Sequence, residues 1–237
     1  MIKKINTIDI SLGPQLLPSV LSVIAGSIDV ISFLGLGGLF TAHITGNLIL
    51  IAAHIVTGSA VSLARLLSVP VFILVLGLTR LLAVGLEAAG LAPLQPLLLL
   101  QLLLLAGTLA LGVAAGSPAA PDATNTVLAG MLGVSAMAVQ NALVQISLKW
   151  APSTAVMTTN ITRFMIDVGE VLFGSDPAEV TGARSRAQCT WPAIVGFTAG
   201  ASLGAACFAA AGMWSLVLPT GLALLALALV TKIEDGR

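Results

Sequence analysis

The sequence predicts an all-α fold, a polytopic transmembrane helical bundle of about eight spans with two structurally related halves. Hydrophobic residues make up 57% of the 237 residues and charged residues only 8%, with a mean hydropathy of +1.07. A soluble domain carries roughly a quarter charged residues, and one soluble core of this length could not bury so much apolar surface. The few charges also lie in short gaps between long apolar runs, which is typical of membrane spans. The lipid bilayer is therefore the predicted surrounding of most of the chain.

Eight stretches are candidates for spans, because a helix needs about 20 apolar residues to cross the hydrocarbon core. Their predicted limits are 16 to 35, 39 to 57, 68 to 88, 94 to 115, 125 to 148, 154 to 173, 191 to 211 and 213 to 231. The second and sixth are short and carry polar residues, so six full crossings with two partial ones is an open alternative. The longest polar gap, residues 174 to 190, is predicted to be an irregular internal loop.

The basic residues orient the predicted spans. If the chain starts in the cytoplasm and crosses eight times, only Lys149 falls outside, and the cytoplasmic segments receive Lys3, Lys4, Arg65, Arg184, Arg186, Lys232 and Arg237. This distribution follows the positive-inside rule. The sequence therefore predicts a multi-pass protein of the cytoplasmic membrane with both termini in the cytoplasm.

A short motif occurs twice and predicts an internal repeat. Residues 41 to 47 read T-A-H-I-T-G-N and residues 154 to 160 read T-A-V-M-T-T-N, so the copies share T-A-x-x-T-x-N. The predicted repeats are residues 1 to 120 and 121 to 237. Four crossings in each would make the copies parallel, whereas three would make them inverted. The alternative is a chance match in a chain rich in Ala, Leu, Thr and Gly.

Each copy of the motif is predicted to open a helix, because Gly37 and Gly38 precede the first and Pro152 and Ser153 precede the second. Irregular backbone at membrane depth persists only where protein or a watery cavity satisfies it. A helix start also offers partial positive charge to a small polar or anionic solute. The alternative is that these polar side chains only cap or join helices. The predicted substrate-binding residues between the two repeats are Asp29, Thr45, Asn47, Asn141, Thr158, Asn160 and Arg163.

Ionisable residues inside spans are costly and usually mark a pathway or a buried pair. Arg80, Asp167 and His54 are therefore predicted to be coupling or buried-charge residues. Arg163 lies four residues before Asp167, so the two can pair on one helix face. For Asp29, a structural pair with Arg80 or Arg163 is the alternative to a coupling role. In the repeat alignment, Asp29 matches Asn141 after a one-residue gap and His54 matches Asp167.

Several classes of function are excluded or left without support. A net charge of zero gives no basic stripe for nucleic acid. The sequence has no nucleotide-binding loop, G-x-S-x-G elbow, H-E-x-x-H motif or metal-ligand cluster, so no enzyme activity, cofactor or metal is expected. Gly196, Gly200 and Gly204 form a double G-x-x-x-G, which suits packing within the bundle or a homo-oligomer face. A non-transporting membrane scaffold or accessory subunit is the alternative to a transporter.

Two stretches resemble the YoaK family of small bacterial inner-membrane proteins. They are residues 25 to 58, which include G-S-I-D, G-G-L-F and T-G-N, and the later Q-N-A followed by T-T-N-I-T-R at residues 158 to 163. The resemblance extends over almost the whole chain, and it implies a bacterial cytoplasmic-membrane protein of uncharacterised activity, often described as a probable permease. Thr159 stands where such proteins tend to have glycine, so the second motif is expected to differ structurally from the first.

Overall fold

The computed structural model describes residues 13–116 and 122–235. These two ranges are helical apart from short links, so the all-α class is confirmed, and each of the eight predicted stretches contains a helix. The helices are α1 (Gly13–Gly35), α2 (Ile44–Thr57), α3 (Leu63–Ala88), α4 (Leu94–Ala115), α5 (Thr124–Ser147), α6 (Met157–Phe173), α7 (Pro177–Ala211) and α8 (Val217–Asp235), with a 3₁₀-helix at Gly212–Leu216 between the last two.

Five helical stretches are long and apolar enough to cross a membrane: Gln15–Gly35, Leu63–Ala88, Leu94–Ala115, Thr124–Ser147 and Pro177–Lys232, the last of which contains both α7 and α8. Large apolar side chains also cover the surface, and Ile49, Val56, Leu81 and Phe173 are between 68% and 87% exposed. Such a surface requires an apolar solvent. The helices therefore have the length and the surface of a multi-pass membrane protein.

Helices α1 and α7 pack side by side and run in the same direction. Gly196, Gly200 and Gly204 of α7 lie in order against Ser19, Val23 and Ser27 of α1, with α1 backbone where a Cβ atom would stand. Glycine is needed here because any side chain would push the two helices apart. The glycine face is thus covered by α1 within the chain, as predicted by the first of its two alternatives, packing within the bundle. The second alternative, a homo-oligomer face, stays a prediction without support from these contacts.

Helix α5 is the second central element, and it runs antiparallel to α1. Its Gln140 donates to the Leu21 carbonyl near the start of α1, whereas its Gly133 lies against Ile28 nearer the end of α1. Helix α4 is also antiparallel to α5, since Gln101 bonds Gln140 and Thr108 lies against Gly133. Both α1 and α5 are largely buried.

Helix α3 runs parallel to α5. The backbone N–H of Leu63, which begins α3, donates to the Asp122 carboxylate two residues before α5 begins. At the other end, Glu87 near the end of α3 shares a cavity with Lys149 just after α5. These directions define two ends of the bundle, the α3 end, where α1 ends and α3 begins, and the α7 end, where α5 ends and α7 begins.

Helices α2 and α6 begin inside the bundle and return to the end from which the chain entered. The chain leaves α1 at the α3 end, passes beside Asp29 and forms α2, whose His54 lies beside Arg65 at the start of α3. Helix α2 has 14 residues and is about 21 Å long, less than the roughly 30 Å hydrocarbon core. Helix α6 repeats this path at the α7 end, where its Asp167 bonds Arg186 of α7.

The polar stretch 174 to 190 is mostly helical, so the predicted irregular loop is wrong. Only Gly174 to Asp176 separate α6 from α7. Pro177 occupies the first position of α7, and the Asp176 carboxylate accepts the N–H of Ala178 at 2.8 Å. Proline after an aspartate cap is a helix start signal. The charges in this stretch therefore reflect exposure of the first turns of α7 rather than a loop.

Candidate functional site at the two helix breaks

The first break comprises residues 36 to 43, between α1 and α2, and Asp29 of α1 organises it. One oxygen of the buried Asp29 carboxylate accepts the backbone N–H groups of Thr41 at 2.8 Å, Ala42 at 2.7 Å and His43 at 3.3 Å. The other oxygen lies 2.7 Å from Nδ1 of His43. A carboxylate thus occupies the anion position that the start of α2 offers.

His43 was not predicted as a site residue, yet it holds the central place at the first break. Because Nδ1 faces Asp29, the other ring nitrogen, Nε2, is the one free to meet a ligand. The His43 side chain is 40% exposed, and its ring packs edge-on against Phe197 of α7 with centroids 5.3 Å apart. The sequence signal was the position of His43 directly before α2 and 14 residues after an intramembrane aspartate.

A cavity of about 400 Å³ lies between α1, the first break, the start of α2 and α7. Phe33, Phe40 and Phe197 form aromatic walls, and Phe33 stacks on Phe40 with centroids 4.7 Å apart. Among the residues that line the cavity, the titratable ones are Asp29 and His43. Since Phe197 belongs to the second predicted repeat, the cavity lies between residues of both repeats.

Asn47 fixes the backbone of the first break through hydrogen bonds of its side-chain amide. Its Oδ1 accepts the N–H of Phe40 at 3.0 Å, and its Nδ2 donates to the Phe40 carbonyl at 2.7 Å and to the Ser68 hydroxyl of α3 at 3.1 Å. Asn47 is fully buried, whereas the neighbouring Thr45 is exposed. Asn47 therefore acts as a clamp on the break rather than as a cavity wall.

The second break comprises residues 148 to 156, between α5 and α6, and it carries the same clamp. Nδ2 of Asn160 donates to the Ser153 carbonyl at 2.6 Å, seven residues back in the chain, as Asn47 does to Phe40. The Ser153 hydroxyl accepts the N–H of Val156 at 3.0 Å. The motif that recurs in the sequence thus marks recurring backbone geometry.

Gln140 of α5 reaches the second break, in the place where Asp29 reaches the first. Its Nε2 donates to the Thr154 hydroxyl and to the Leu21 carbonyl, each at 2.9 Å, and its Oε1 accepts from Gln101 at 2.7 Å. The predicted site residue Asn141 instead donates to the Met137 carbonyl of its own helix. The counterpart of Asp29 is therefore a neutral amide one position before Asn141.

The remaining predicted charges fall outside the first cavity. Asp167 is held by Arg186 of α7 through Nε at 2.9 Å and Nη2 at 2.6 Å, rather than by Arg163. Arg163 is exposed and lines a cavity of about 490 Å³ at the α7 end with Lys149 and Asn160. In the described residues Asp29 pairs with His43, and with neither Arg80 nor Arg163.

The three remaining predicted residues, Thr158, Arg80 and His54, do not line the cavity at the first break. Thr158 is exposed, and Arg80 lies in a cavity at the α7 end that also holds Glu87 and Lys149. Nδ1 of His54 lies 2.6 Å from the Leu50 carbonyl, and its Nε2 lies 3.4 Å from the Arg65 guanidinium. His54 and Asp167, matched in the repeat, thus each contact an arginine of the following long helix.

The two breaks lie on one face of α5, about 10 Å apart. Thr41 of the first break contacts Gly133, and Thr154 of the second is bonded to Gln140, seven residues further along the same helix. Seven residues make about two turns and a rise of roughly 10 Å. The two motifs, predicted to meet in one site, thus form two separate breaks that are joined through α5.

Comparison with known families identifies the chain. Residues 17–229 match the model of a family described as protein of unknown function, DUF1275. The chain belongs to the DUF1275 family. No curated protein and no solved structure matches it. YoaK is a DUF1275 member, so the resemblance seen in the sequence agrees with this family, whose match includes both breaks and the cavity.

Proposed function

We propose that this DUF1275 protein is a transporter or permease of the bacterial cytoplasmic membrane that moves a small polar solute through a site between two inverted halves. The observation that carries the proposal is the pair of short helices that begin inside the bundle, each clamped by an asparagine to the carbonyl seven residues earlier. Interrupted helices from two repeats build the substrate sites of many secondary transporters. A cavity beside the first break, lined from both halves, supplies a place for the solute.

The directions of the long helices support an inverted relation between the halves. Helix α1 runs opposite to its counterpart α5. Helices α1 and α7 are parallel neighbours, and so are their counterparts α5 and α3. Leu216 lies against Gly112 and Thr220 lies beside Leu105, so α8 is antiparallel to its counterpart α4. In this proposal six helices cross the membrane, and α2 and α6 enter it without crossing.

Six crossings also fit the positive-inside rule. Arg65 belongs to the α3 end, and the α7 end collects the other basic residues, namely Arg80, Lys149, Arg163, Arg184, Arg186 and Lys232; Lys3, Lys4 and Arg237 lie outside the described residues. We therefore place the α7 end in the cytoplasm, with the start of α1 and the end of α8. With six crossings, Arg65 lies outside and Lys149 lies in the cytoplasm, which is the reverse of the sides expected from eight crossings.

The contacts of Asp29 favour a polar solute over an anionic one at the first break. The N–H groups that would bind an anion before α2 already donate to the Asp29 carboxylate, and a second negative charge beside it would be repelled. The scaffold alternative has lost its main support, because the glycine face that motivated it packs against α1.

Cysteine labelling tests the proposed crossings. In a background with Cys189 and Cys207 replaced by serine, Ser59→Cys should react in intact cells with a reagent that does not enter the cytoplasm. Ala89→Cys and Trp150→Cys should react only after the membrane is permeabilised. Eight crossings predict the reverse pattern for all three positions, so that pattern would overturn the six-crossing arrangement.

Transport is tested with purified protein in liposomes and a panel of alkylamines, amino acids, polyols and monocarboxylates. We expect protein-dependent flux of at least one polar solute, strongly reduced in Asp29→Asn and Asn47→Ala. Asn141→Ala and Thr158→Ala are matched controls that should retain flux, because neither side chain lines the first cavity. Full flux in both Asp29→Asn and Asn47→Ala would remove the first break from the proposal.

A further inference from the structure

We infer that the cavity at the first break binds a protonated amine carried on an apolar group, and that this amine and a proton on His43 exclude each other. The inference names the substrate class for the proposed function, and it rests on that function for its biological meaning. It makes the protein an exchanger of organic amines against protons.

The charge of the dyad formed by Asp29 and His43 selects a cation. Within the described residues, no lysine or arginine pairs with Asp29. While His43 is neutral, its Nδ1–H donates to Asp29 and its Nε2 carries a lone pair, so the dyad has one negative charge and one free acceptor. An ammonium group can donate an N–H to Nε2 and is attracted by the carboxylate behind it. The apolar surroundings strengthen both interactions.

The walls of the cavity suit the rest of such a molecule. Phe33, Phe40 and Phe197 are three of the seven phenylalanines in the chain, and ring faces attract a cation within about 6 Å. Small or apolar residues complete the lining, namely Gly26, Val30, Gly46 and Ala201. The volume of about 400 Å³ lies in the range of small-molecule sites. The cavity therefore fits an amine with one small apolar substituent.

A proton on Nε2 of His43 would reverse this preference. The imidazolium and the Asp29 carboxylate would then cancel in charge, and Nε2–H would be a donor that faces the ammonium N–H groups. The amine can therefore enter as the proton leaves Nε2 for water, and the reverse step restores the proton.

Other charged groups do not take part in this exchange. Helix α7 contributes Phe197 and Ala201 to the cavity, and α2 contributes Gly46. Arg65 of α3 is directed to the carbonyls of Gly37 and Gly38 and to His54.

Calorimetry on the full chain in lipid nanodiscs tests the inference with three probes of one shape, benzylamine, benzyl alcohol and benzoate. At about pH 8 we expect benzylamine to bind at least tenfold more tightly than the other two. At about pH 5.5, below the ordinary titration range of histidine, its affinity should fall about tenfold or more. Titrations in buffers of different ionisation enthalpy should show proton release on binding at the lower pH.

Three variants separate the roles of charge and ring. His43→Gln keeps a polar side chain that cannot titrate, so binding should lose its pH dependence and its proton release. Phe197→Leu should weaken benzylamine binding about tenfold. Phe208→Leu is the matched control, because Phe208 lies on the same helix but contacts Gly35 outside the cavity, and its affinity should be unchanged.

Three outcomes would overturn the inference: benzoate or benzyl alcohol binding as tightly as benzylamine, pH-independent binding by the unmodified protein, or equal effects of Phe197→Leu and Phe208→Leu. Failure of the proposed function is distinguishable from these. Binding with the expected pattern but no flux of any solute in liposomes would contradict transport alone. Flux of another solute with no benzylamine binding would contradict the amine site alone.

Discussion

The two breaks share a backbone geometry and differ in their chemistry. Each is clamped by an asparagine at the fourth position of a short helix, which donates to the carbonyl seven residues earlier. The first break is organised by a buried carboxylate and a histidine beside an aromatic cavity. The second is organised by the neutral amide of Gln140 and the hydroxyls of Ser153 and Thr154. We therefore interpret the first break as the site and the second as its structural counterpart.

The largest expected effect comes from Asp29, because four hydrogen bonds of the first break converge on its carboxyl group. Asp29→Ala leaves three backbone N–H groups and Nδ1 of His43 without their acceptor, and we expect the free energy of unfolding to fall by about 3–5 kcal/mol. Asp29→Asn keeps one acceptor oxygen and should cost about half as much. Unfolding by a denaturing detergent in mixed micelles measures both.

Asp122→Ala is the control for this comparison, since Asp122 is exposed and accepts a single N–H, from Leu63. Its loss should change the free energy of unfolding by no more than about 1 kcal/mol. If Asp29→Ala were no more harmful than Asp122→Ala, the carboxylate would not organise the first break.

The second largest effect should follow loss of the neutral network at the second break. Gln140→Ala removes three hydrogen bonds, to Leu21, Thr154 and Gln101, and should lower the free energy of unfolding by about 2–3 kcal/mol at roughly 1 kcal/mol per bond. Benzylamine affinity at the first break should stay within about twofold of the unmodified protein. Gln145→Ala, an exposed change on the same helix, is the control and should be nearly neutral.

The sequence predicts the features of this fold whose signal comes from residues close together in the chain. Hydropathy located the apolar part of every long helix, and α4 begins and ends at the predicted residues, Leu94–Ala115, because apolar length is a local property. It missed the polar start of α7, residues 177 to 190. The repeated motif located both helix starts. Neither signal reports helix direction, so the proposal of six crossings in place of eight rests on the contacts of Gln140 and Leu63.

The candidate site was predicted only in part. Asp29 and Asn47 are local landmarks, a charge within a span and an amide in a repeated motif. The role of His43 arises from a contact with a residue 14 positions away, and Phe197 joins the cavity from the other half of the chain. The one-residue gap in the repeat alignment also selected Asn141 in place of Gln140, because amides in adjacent positions look alike in sequence yet face different neighbours on a helix.

The two clamps should differ in strength by the number of their bonds. Asn47→Ala loses bonds to the N–H and carbonyl of Phe40 and to Ser68, which should cost about 2 kcal/mol, whereas Asn160→Ala loses chiefly its bond to the Ser153 carbonyl and should cost about 1 kcal/mol. Thermal unfolding in detergent ranks the two variants. Equal losses would mean that the clamps contribute alike despite their different partners.

The smallest expected effect concerns one of the three positions at which the repeated motifs differ, Gly46 and Thr159. A Cβ atom on Gly46 would lie 3.0 Å from the ring of Phe40, whereas Thr159 is exposed and the counterpart of Phe40 at the second break is the small Ser153. Gly46→Thr should therefore cost about 1 kcal/mol through crowding, and Thr159→Gly less than about 0.5 kcal/mol through helix propensity.

A double-mutant cycle decides whether crowding by Phe40 is the cause. If it is, Gly46→Thr should be nearly neutral in a Phe40→Ser background, which gives a coupling energy of about 1 kcal/mol between the two positions. An additive pair would mean that the glycine is required for another reason. The Phe40 ring is a wall of the cavity. The same double variant should therefore bind benzylamine poorly even though its stability recovers. In that case the glycine is the feature of the first motif that makes room for an aromatic wall.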